Sequence, residues 1–409
     1  MLLGIALLPL IVPHIWEHPA APLGLVGICS LPVILFAPGP HERQLLLHGI
    51  EEYVAFMALI SALYVTAGGI HVSGNPRGTP HVNVIFLGIG AVAASLIGTT
   101  GASMLLIRPL LDANQERRIK VHLVIFFILI VSNSGGLLTP LGDPPLYLGY
   151  LHGVPFSFTL RLWPAWVLAA GFLLSAFWIW DRRAYAREAP EDLALDLAHE
   201  TGIRVDGKIN IAIAGGIIAC SALGIPSPWR EVAYASLIGL SLWLTATDVR
   251  DANTFHYGPL REVAILFLGI FITMVPALHM LEAIAPHLPV GHPIGLFLMS
   301  GALSSVLDNA PTYLLFASLA AAHGGHGADL AALATHAPVL LAAVSIGSVF
   351  MGANTYIGNG PNLLVKAVAE GAGPGRVEMP HFFGYAAWAV MILTPVYVMV
   401  ALLMLFQLV

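Results

Sequence analysis

The chain has 409 residues, of which 57% are hydrophobic and only 10% charged, with a formal net charge of −6. Soluble domains carry about 25% charged residues, so a water-covered surface is excluded and an integral membrane protein is expected. No basic stripe offers itself to nucleic acid, and Cys29 and Cys220 both sit in apolar runs, without a disulfide framework or CxxC site. The apolar runs are about 15–22 residues long, which at ~1.5 Å per residue matches a bilayer core of about 30 Å. Lipid-facing barrels need alternating strands of about ten residues, and none are visible, so the class is all-α and polytopic. Spans are predicted at 2–15, 20–36 and 50–70, followed by short apolar arms at 82–97 and 102–111 around the tip Gly98-Thr99-Thr100-Gly101. An interrupted segment, 121–152, and a span at 160–180 follow, and then a charged linker, 181–208. Further spans are predicted at 209–224, 231–247 and 262–281. Arms at 293–306 and 311–321 flank Asp308-Asn309-Ala310-Pro311, before an interrupted segment, 338–369, and a span at 382–407. The first run lacks the basic start and small-residue cleavage site of a signal peptide and is expected to be a retained span.

The two halves align. At an offset of 210, Glu52 meets Glu262 and Ser95-Leu-Ile-Gly-Thr-Thr-Gly-Ala meets Ser305-Val-Leu-Asp-Asn-Ala-Pro-Thr. At 216 the segment GLLTPLGDPPL meets GANTYIGNGPN, and at 222 Pro164-Ala-Trp meets Ala386-Ala-Trp. Their common order implies two copies of one unit, 1–180 and 209–409. The arms are too short to cross, so each pair is read as a re-entrant hairpin. Each copy then makes five crossings, and the second lies upside down, which is the inverted-repeat logic of secondary transporters. Of the 17 Lys and Arg residues, 14 fall on the linker side and only Arg43, Arg161 and Arg230 on the other. The positive-inside rule therefore puts the linker in the cytoplasm and both termini outside.

Irregular backbone at membrane depth survives where it is buried in protein or lines a wet cavity. The two tips and the breaks at 132–145 and 352–361 are four such places, and Asp143 and Asp308 are their only carboxylates, with no Lys or Arg beside them. A charge at mid-bilayer costs at least ~2.5–3.5 kcal/mol and is normally functional. Two acids without a fixed basic partner call for mobile cations, a metal ion or protons. Asn133, Ser134, Thr139, Asn309, Thr312, Asn354, Thr355, Asn359 and Asn362 add neutral oxygens, as do Thr99, Thr100 and Ser103 at the first tip; such donors suit hard cations like Na⁺. Against this, Asp143 before Pro144-Pro145 and Asp308 before Asn309-Ala310-Pro311 could each simply cap a half-helix. Glu52, Glu262, His71, His122 and His279 lie near span ends, where interfacial or packed roles are expected, and the HGGH around His323 and His326 reads as a solvated loop.

SNSGGLLTPLGDPP, SSVLDNAPTYLL and GANTYIGNGPNLL resemble, in that order, the signature segments of the ion transporter superfamily, with its NhaD-type sodium/proton antiporters, ArsB-type arsenite permeases and citrate transporters. The resemblance implies a homodimer, a scaffold of the first three spans of each repeat, and a mobile body of hairpins and broken helices giving alternating access. It implies that Asp143 and Asp308 carry Na⁺ (or Li⁺) and protons, with Asn133, Thr139, Asn309, Asn354 and Asn359 as neutral ligands or caps and no cofactor. The paired Ser-Asn-Thr motifs of dicarboxylate carriers are not reproduced: Ser132-Asn133-Ser134 and Ala353-Asn354-Thr355 stand there. A Na⁺/H⁺ antiporter, expected in a bacterial inner membrane, is the first reading and a cation-coupled carrier of citrate or another organic anion the second. An intramembrane enzyme is disfavoured, because no HExxH, GxSxG or Ser/Lys pair appears.

Overall fold

The computed structural model describes the chain apart from residues 2, 6, 7, 9–11, 17, 19, 37, 38, 285–290, 326, 328, 372–374 and 409. Residues 2, 6, 7 and 9–11 of the predicted first span are among these, and His326 and the side chain of His279 also lie outside the described residues. Helices make up 76% of the chain. Among the described residues six helices are long and apolar enough to cross a membrane, with a seventh if the bent pair Leu330–His336 and Pro338–Asn354 counts as one span. Pro80–Ile97 is one of the six, so the arm at 82–97, expected to be too short to cross, is long enough, whereas other predicted crossings fall on helices shorter than the bilayer core, Ala21–Leu35 and Ile209–Ala222 among them.

One group of helices packs around α1 (Ala21–Leu35) and α2 (Pro40–Gly68). It is completed by α9 (Ile209–Ala222), α10 (Trp229–Leu244) and α11 (Gly258–Ile284). Between α2 and α11, Phe56 and Phe267 stack with ring centroids 4.7 Å apart. The second group contains α3 (Pro80–Ile97), α4 (Thr99–Asp112), α5 (Val121–Ile130), α6 (Pro144–Leu151) and α7 (Trp163–Tyr185). It also contains α12 (Pro293–Ser304), α13 (Asn309–His323), α14 (Leu330–His336), α15 (Pro338–Met351), α16 (Gly360–Glu370) and α17 (Phe382–Leu405). The groups meet where α2 packs on α4 and α6, and α11 on α13. Helix α5, VHLVIFFILI, is apolar all round and buried on every face from His122 to Ile130, as expected of a helix enclosed by others.

Sequence dictates the breaks. Gly98 joins α3 to α4 at φ +83°, a conformation that L side chains rarely adopt, so the chain reverses there within one residue. After α5 come a short 3₁₀ turn, Ser134–Leu138, an extended Thr139, and Asp143 ahead of the Pro144-Pro145 that opens α6. After α15 the same order recurs: a 3₁₀ turn at Gly352–Asn354, an extended Thr355, and Asn359 ahead of α16. The two breaks share their bonding. Thr139 donates its hydroxyl to the Ser95 carbonyl, and Thr355 donates to Ser305 O at 2.5 Å. Ser95 Oγ donates to Gly135 O, and Ser305 Oγ to Met351 O at 3.1 Å. A Cβ on Gly142 would lie 2.1 Å from Gly136 O, and one on Gly358 2.5 Å from Gly352 O. These pairs are separated by the offsets 210 and 216 that align the two sequence halves.

The linker is more ordered than a solvated loop. Helix α8 (Pro190–Ala198) forms within it, and Asp196 accepts the Gly78 N–H at 3.2 Å. Strands β1 (His71–Ser73) and β2 (Arg204–Asp206) pair antiparallel, tying the linker to the segment after α2.

Candidate functional site

Four helices begin at one place: α4 at Thr99, α6 at Pro144, α13 at Asn309 and α16 at Gly360. Free N–H groups at helix starts carry partial positive charge, about half a unit per helix, so acids are well placed here. Asp143 is 1% exposed. Its Oδ1 accepts the Thr99 hydroxyl at 3.0 Å, and Asn359 Nδ2 approaches the same oxygen at 3.4 Å. Its Oδ2 accepts the Asn309 amide. The Thr99 N–H donates to Gly142 O at 2.8 Å, locking the first hairpin tip to the first break. Asp143 occupies the cap position of α6 but takes no backbone N–H, so capping does not account for it. Asp308 does cap: its Oδ1 accepts Ala310 N–H at 3.0 Å.

Asp308, Thr99, Thr100 and Asn359 line one cavity of about 100 Å³, whose opposite wall is Phe56, Leu63, Tyr64, Val263 and Phe267. Pro144, which follows Asp143 directly, lines the same cavity as Asp308. No Lys, Arg or His lines this cavity among the described residues. The buried Asn309 Oδ1 has no hydrogen-bond partner there either, which leaves an acceptor beside the Asp143 carboxylate. The donor set is all oxygen, and it suits a hard monovalent cation or a proton rather than a thiolate- or imidazole-loving metal. Among the described residues no group of three or more His, Cys, Asp or Glu could hold a metal ion.

The other predicted residues lie at varying distance from this centre. Asn133 is one step removed: its Nδ2 donates to Ile128 O at 2.9 Å and to Asn362 Oδ1 at 2.7 Å, and its Oδ1 accepts from Asn359 at 3.2 Å. Asn362 donates to Gly352 O and Thr355 O, both at 2.9 Å. Ser134 bonds Leu129 O at 2.8 Å and Thr312 bonds Asp308 O at 3.0 Å, satisfying local backbone. Thr139 and Thr355 hold the breaks to the hairpins. Asn354 donates to Ser305 Oγ at 2.9 Å and accepts from Tyr397 at 2.6 Å. Ser103 pairs with Ser132 at 2.9 Å.

Sequence reasoning missed a buried polar cluster near the linker. Arg117 Nη2 lies 2.6 Å from Asp181 Oδ1, with the two side chains 1% and 0% exposed. His122 Nε2 contacts the same Oδ1 at 2.9 Å and Asn83 donates to Oδ2 at 2.9 Å. Asn83 and Asn114 exchange side-chain bonds at 3.0 and 2.8 Å. A lone Asn83 in an otherwise apolar arm was the available signal. His122 is thus packed, as expected of it.

A family model described as "Putative citrate transport" matches residues 1–405, nearly the whole chain. No curated protein gives a significant match. The family is one of transporters, in keeping with the ion transporter superfamily resemblance and with the apolar helices of this fold. The chain is an integral membrane protein and belongs to this citrate-transport family.

Proposed function

We propose that the chain is a secondary active transporter in which Asp143 and Asp308 bind Na⁺ or Li⁺ in competition with protons, so that it exchanges the metal ion for protons. One observation carries this reading: Asp143 is buried among neutral donors, with no basic partner, beside a cavity that a second carboxylate lines. An empty acid pair at this depth is costly, and a cation or protons neutralise it, so loaded sites cross the barrier more cheaply than empty ones. Thr99, Thr100, Asn309 and Asn359 complete the proposed site, with Asn133, Ser134, Thr139, Thr312, Asn354 and Thr355 as its supports. The repeated bonding of the two breaks supports an inverted pair of units, 1–180 and 209–409, each with five crossings and a re-entrant hairpin. In this reading α1, α2, α9, α10 and α11 form a scaffold in a homodimer. The second group moves against it, with the linker cytoplasmic and both termini outside.

A second reading is a carrier of citrate or another organic anion, driven by cations at the same acids. The family match favours it, as do the four helix starts, whose N–H groups attract carboxylates. A proteoliposome assay separates the two. A pH-sensitive dye reports proton movement on adding Na⁺, Li⁺ or K⁺, and labelled citrate reports uptake. Na⁺-dependent proton release without citrate uptake supports antiport; Na⁺-dependent citrate uptake supports the carrier. Full proton release in both Asp143→Asn and Asp308→Asn would remove the acids from the mechanism.

A further inference from the structure

On the face away from the linker a second cavity, about 220 Å³, lies between the two helix groups. Helix α2 lines it with His48 and Glu52, and α6 with His152. Glu52 Oε1 is 3.4 Å from His152 Nε2 and 3.4 Å from His48 Nε2. The Glu52 and His152 side chains are 15% and 20% exposed, whereas His48 is 67% exposed.

The ring of His152 has a fixed hydrogen. Its Nδ1 lies 2.9 Å from Leu148 O, and a carbonyl oxygen only accepts, so Nδ1 carries the hydrogen. In a neutral ring Nε2 then bears the lone pair, and it faces a carboxylate oxygen. Two acceptors would confront each other across the boundary between the helix groups. One more proton, on Nε2 or on Glu52, turns the contact into an attraction. His48 can serve Glu52 with its own Nε2–H, but it cannot relieve the lone pair of His152.

Few other charges face this pair. On α2 there is Glu51, 3.6 Å from His48. Arg230 of α10 lies over the Tyr150 ring and pairs with Glu231 at 2.7 Å. The phenols of Tyr147 and Tyr150 on α6 donate to Ala55 O and Ser221 O. Among the described side chains, helix α11 adds only apolar residues to the cavity, α13 adds Leu314 and Ser318 and sets the Tyr313 phenol against Gly149 of α6, and α15 contains no titratable residue.

We propose that Glu52 and His152 form a proton-binding site separate from Asp143 and Asp308, and that the bound proton latches α6 to α2 on this face. The inference rests on the transporter reading only in taking the two groups to move against each other. The contact is attractive only with that proton in place, so the latch holds in acid and loosens in alkali. A bound proton thereby favours the conformer described here over one with this face open.

The test is a distance. Spin labels on Gln44→Cys, at the start of α2, and Ser157→Cys, beyond α6, are placed in a Cys29→Ser, Cys220→Ser background. Pulsed electron resonance in nanodiscs reads the short and long populations at pH 5.5 and 8.5, without Na⁺ or citrate. The short-to-long ratio is expected to fall about ten-fold between the two pH values. Glu52→Gln supplies an amide N–H to the His152 lone pair, so its ratio stays high at both. His152→Phe keeps the ring and loses the proton, so its ratio stays low at both. A parent ratio that ignores pH, or a Glu52→Gln ratio that still falls, overturns the latch. Because neither Na⁺ nor citrate is present, that result leaves metal binding at Asp143 and Asp308 standing. Conversely, failed ion exchange alongside a pH-dependent distance removes the antiport reading and keeps the latch.

Discussion

Asn133 donates its side-chain amide to Asn362 at 2.7 Å, across 229 positions of sequence. The bond ties one broken helix to the other, and Asn362 passes its own amide to Gly352 O and Thr355 O. Asn362→Leu leaves these acceptors unpaired in a dry interior, at about 1–3 kcal/mol for each buried group. The variant is expected to melt clearly below the parent in a fluorescence-detected unfolding scan, with Asn362→Asp intermediate.

The acids behave differently. Asp143→Asn and Asp308→Asn remove a buried charge while keeping its shape, so the protein should insert and melt no lower than the parent. Added Na⁺ stabilises the parent by mass action if it binds only the folded chain, by about 2.7 kcal/mol at a hundred times Kd. Neither variant should show that gain, and exchange in proteoliposomes should fall at least about a hundred-fold.

Thr99 and Asn309 hold the Asp143 carboxylate from two hairpin tips. Hydrogen bonds to charged groups contribute about 1.5–3 kcal/mol, so Thr99→Ala or Asn309→Ala should raise the half-saturating Na⁺ roughly ten-fold or more. Thr99→Ser restores the hydroxyl and should recover most of the loss. Ser175→Ala, whose exposed hydroxyl bonds only Gly171 O of its own helix, should leave half-saturation near the parent value.

The Arg117–Asp181 pair is sealed from solvent. Breaking a buried pair by removing one partner costs about 3–5 kcal/mol, because the other charge is stranded. Arg117→Met should therefore cut the yield of folded protein on a sizing column, and Arg117→Met with Asp181→Leu should recover much of it. If the double variant is no better than the single one, Asn83 and His122 depend on Asp181 more than Arg117 does.

The linker carries its own pH dependence. Burial pushes the Asp196 carboxyl above the usual carboxylate range, against the opposing hydrogen bond from Gly78. The folded state then binds the proton more tightly than the unfolded one. The resulting stability is fully present below the unfolded value and lost as pH rises through the folded value. Asp196→Asn keeps an acceptor for Gly78 and removes the titration. The melting temperature of the parent relative to this variant should fall between pH 3.5 and 7.

Much of this was legible beforehand, because helix breakers and buried acids are local signals. Gly98, Pro144-Pro145 and Asp308 announced the tips and breaks, and the offsets of 210 and 216 fall on residues with matching bonds, such as Thr139 and Thr355. What escaped were partnerships between distant segments. Nothing near Asp181 names Arg117, and nothing near Glu52 names His152; each looks like an ordinary span-end residue until the chain is packed. The reach of the linker was hidden for a similar reason, since β1 and β2 are three-residue strands that only pairing makes visible.

Helix α5 is enclosed on every face, and its wrapping includes α16 and α17 from the far end of the chain. During synthesis this segment must therefore wait. Its coat of Val, Ile, Leu and Phe lets it rest harmlessly in lipid, but Asn133 has no Asn362 to bond until the ribosome has made the next 229 residues. The centre of the molecule is finished last, and a truncated nascent chain would be held in the bilayer with its middle still unlocked, open to quality-control proteases.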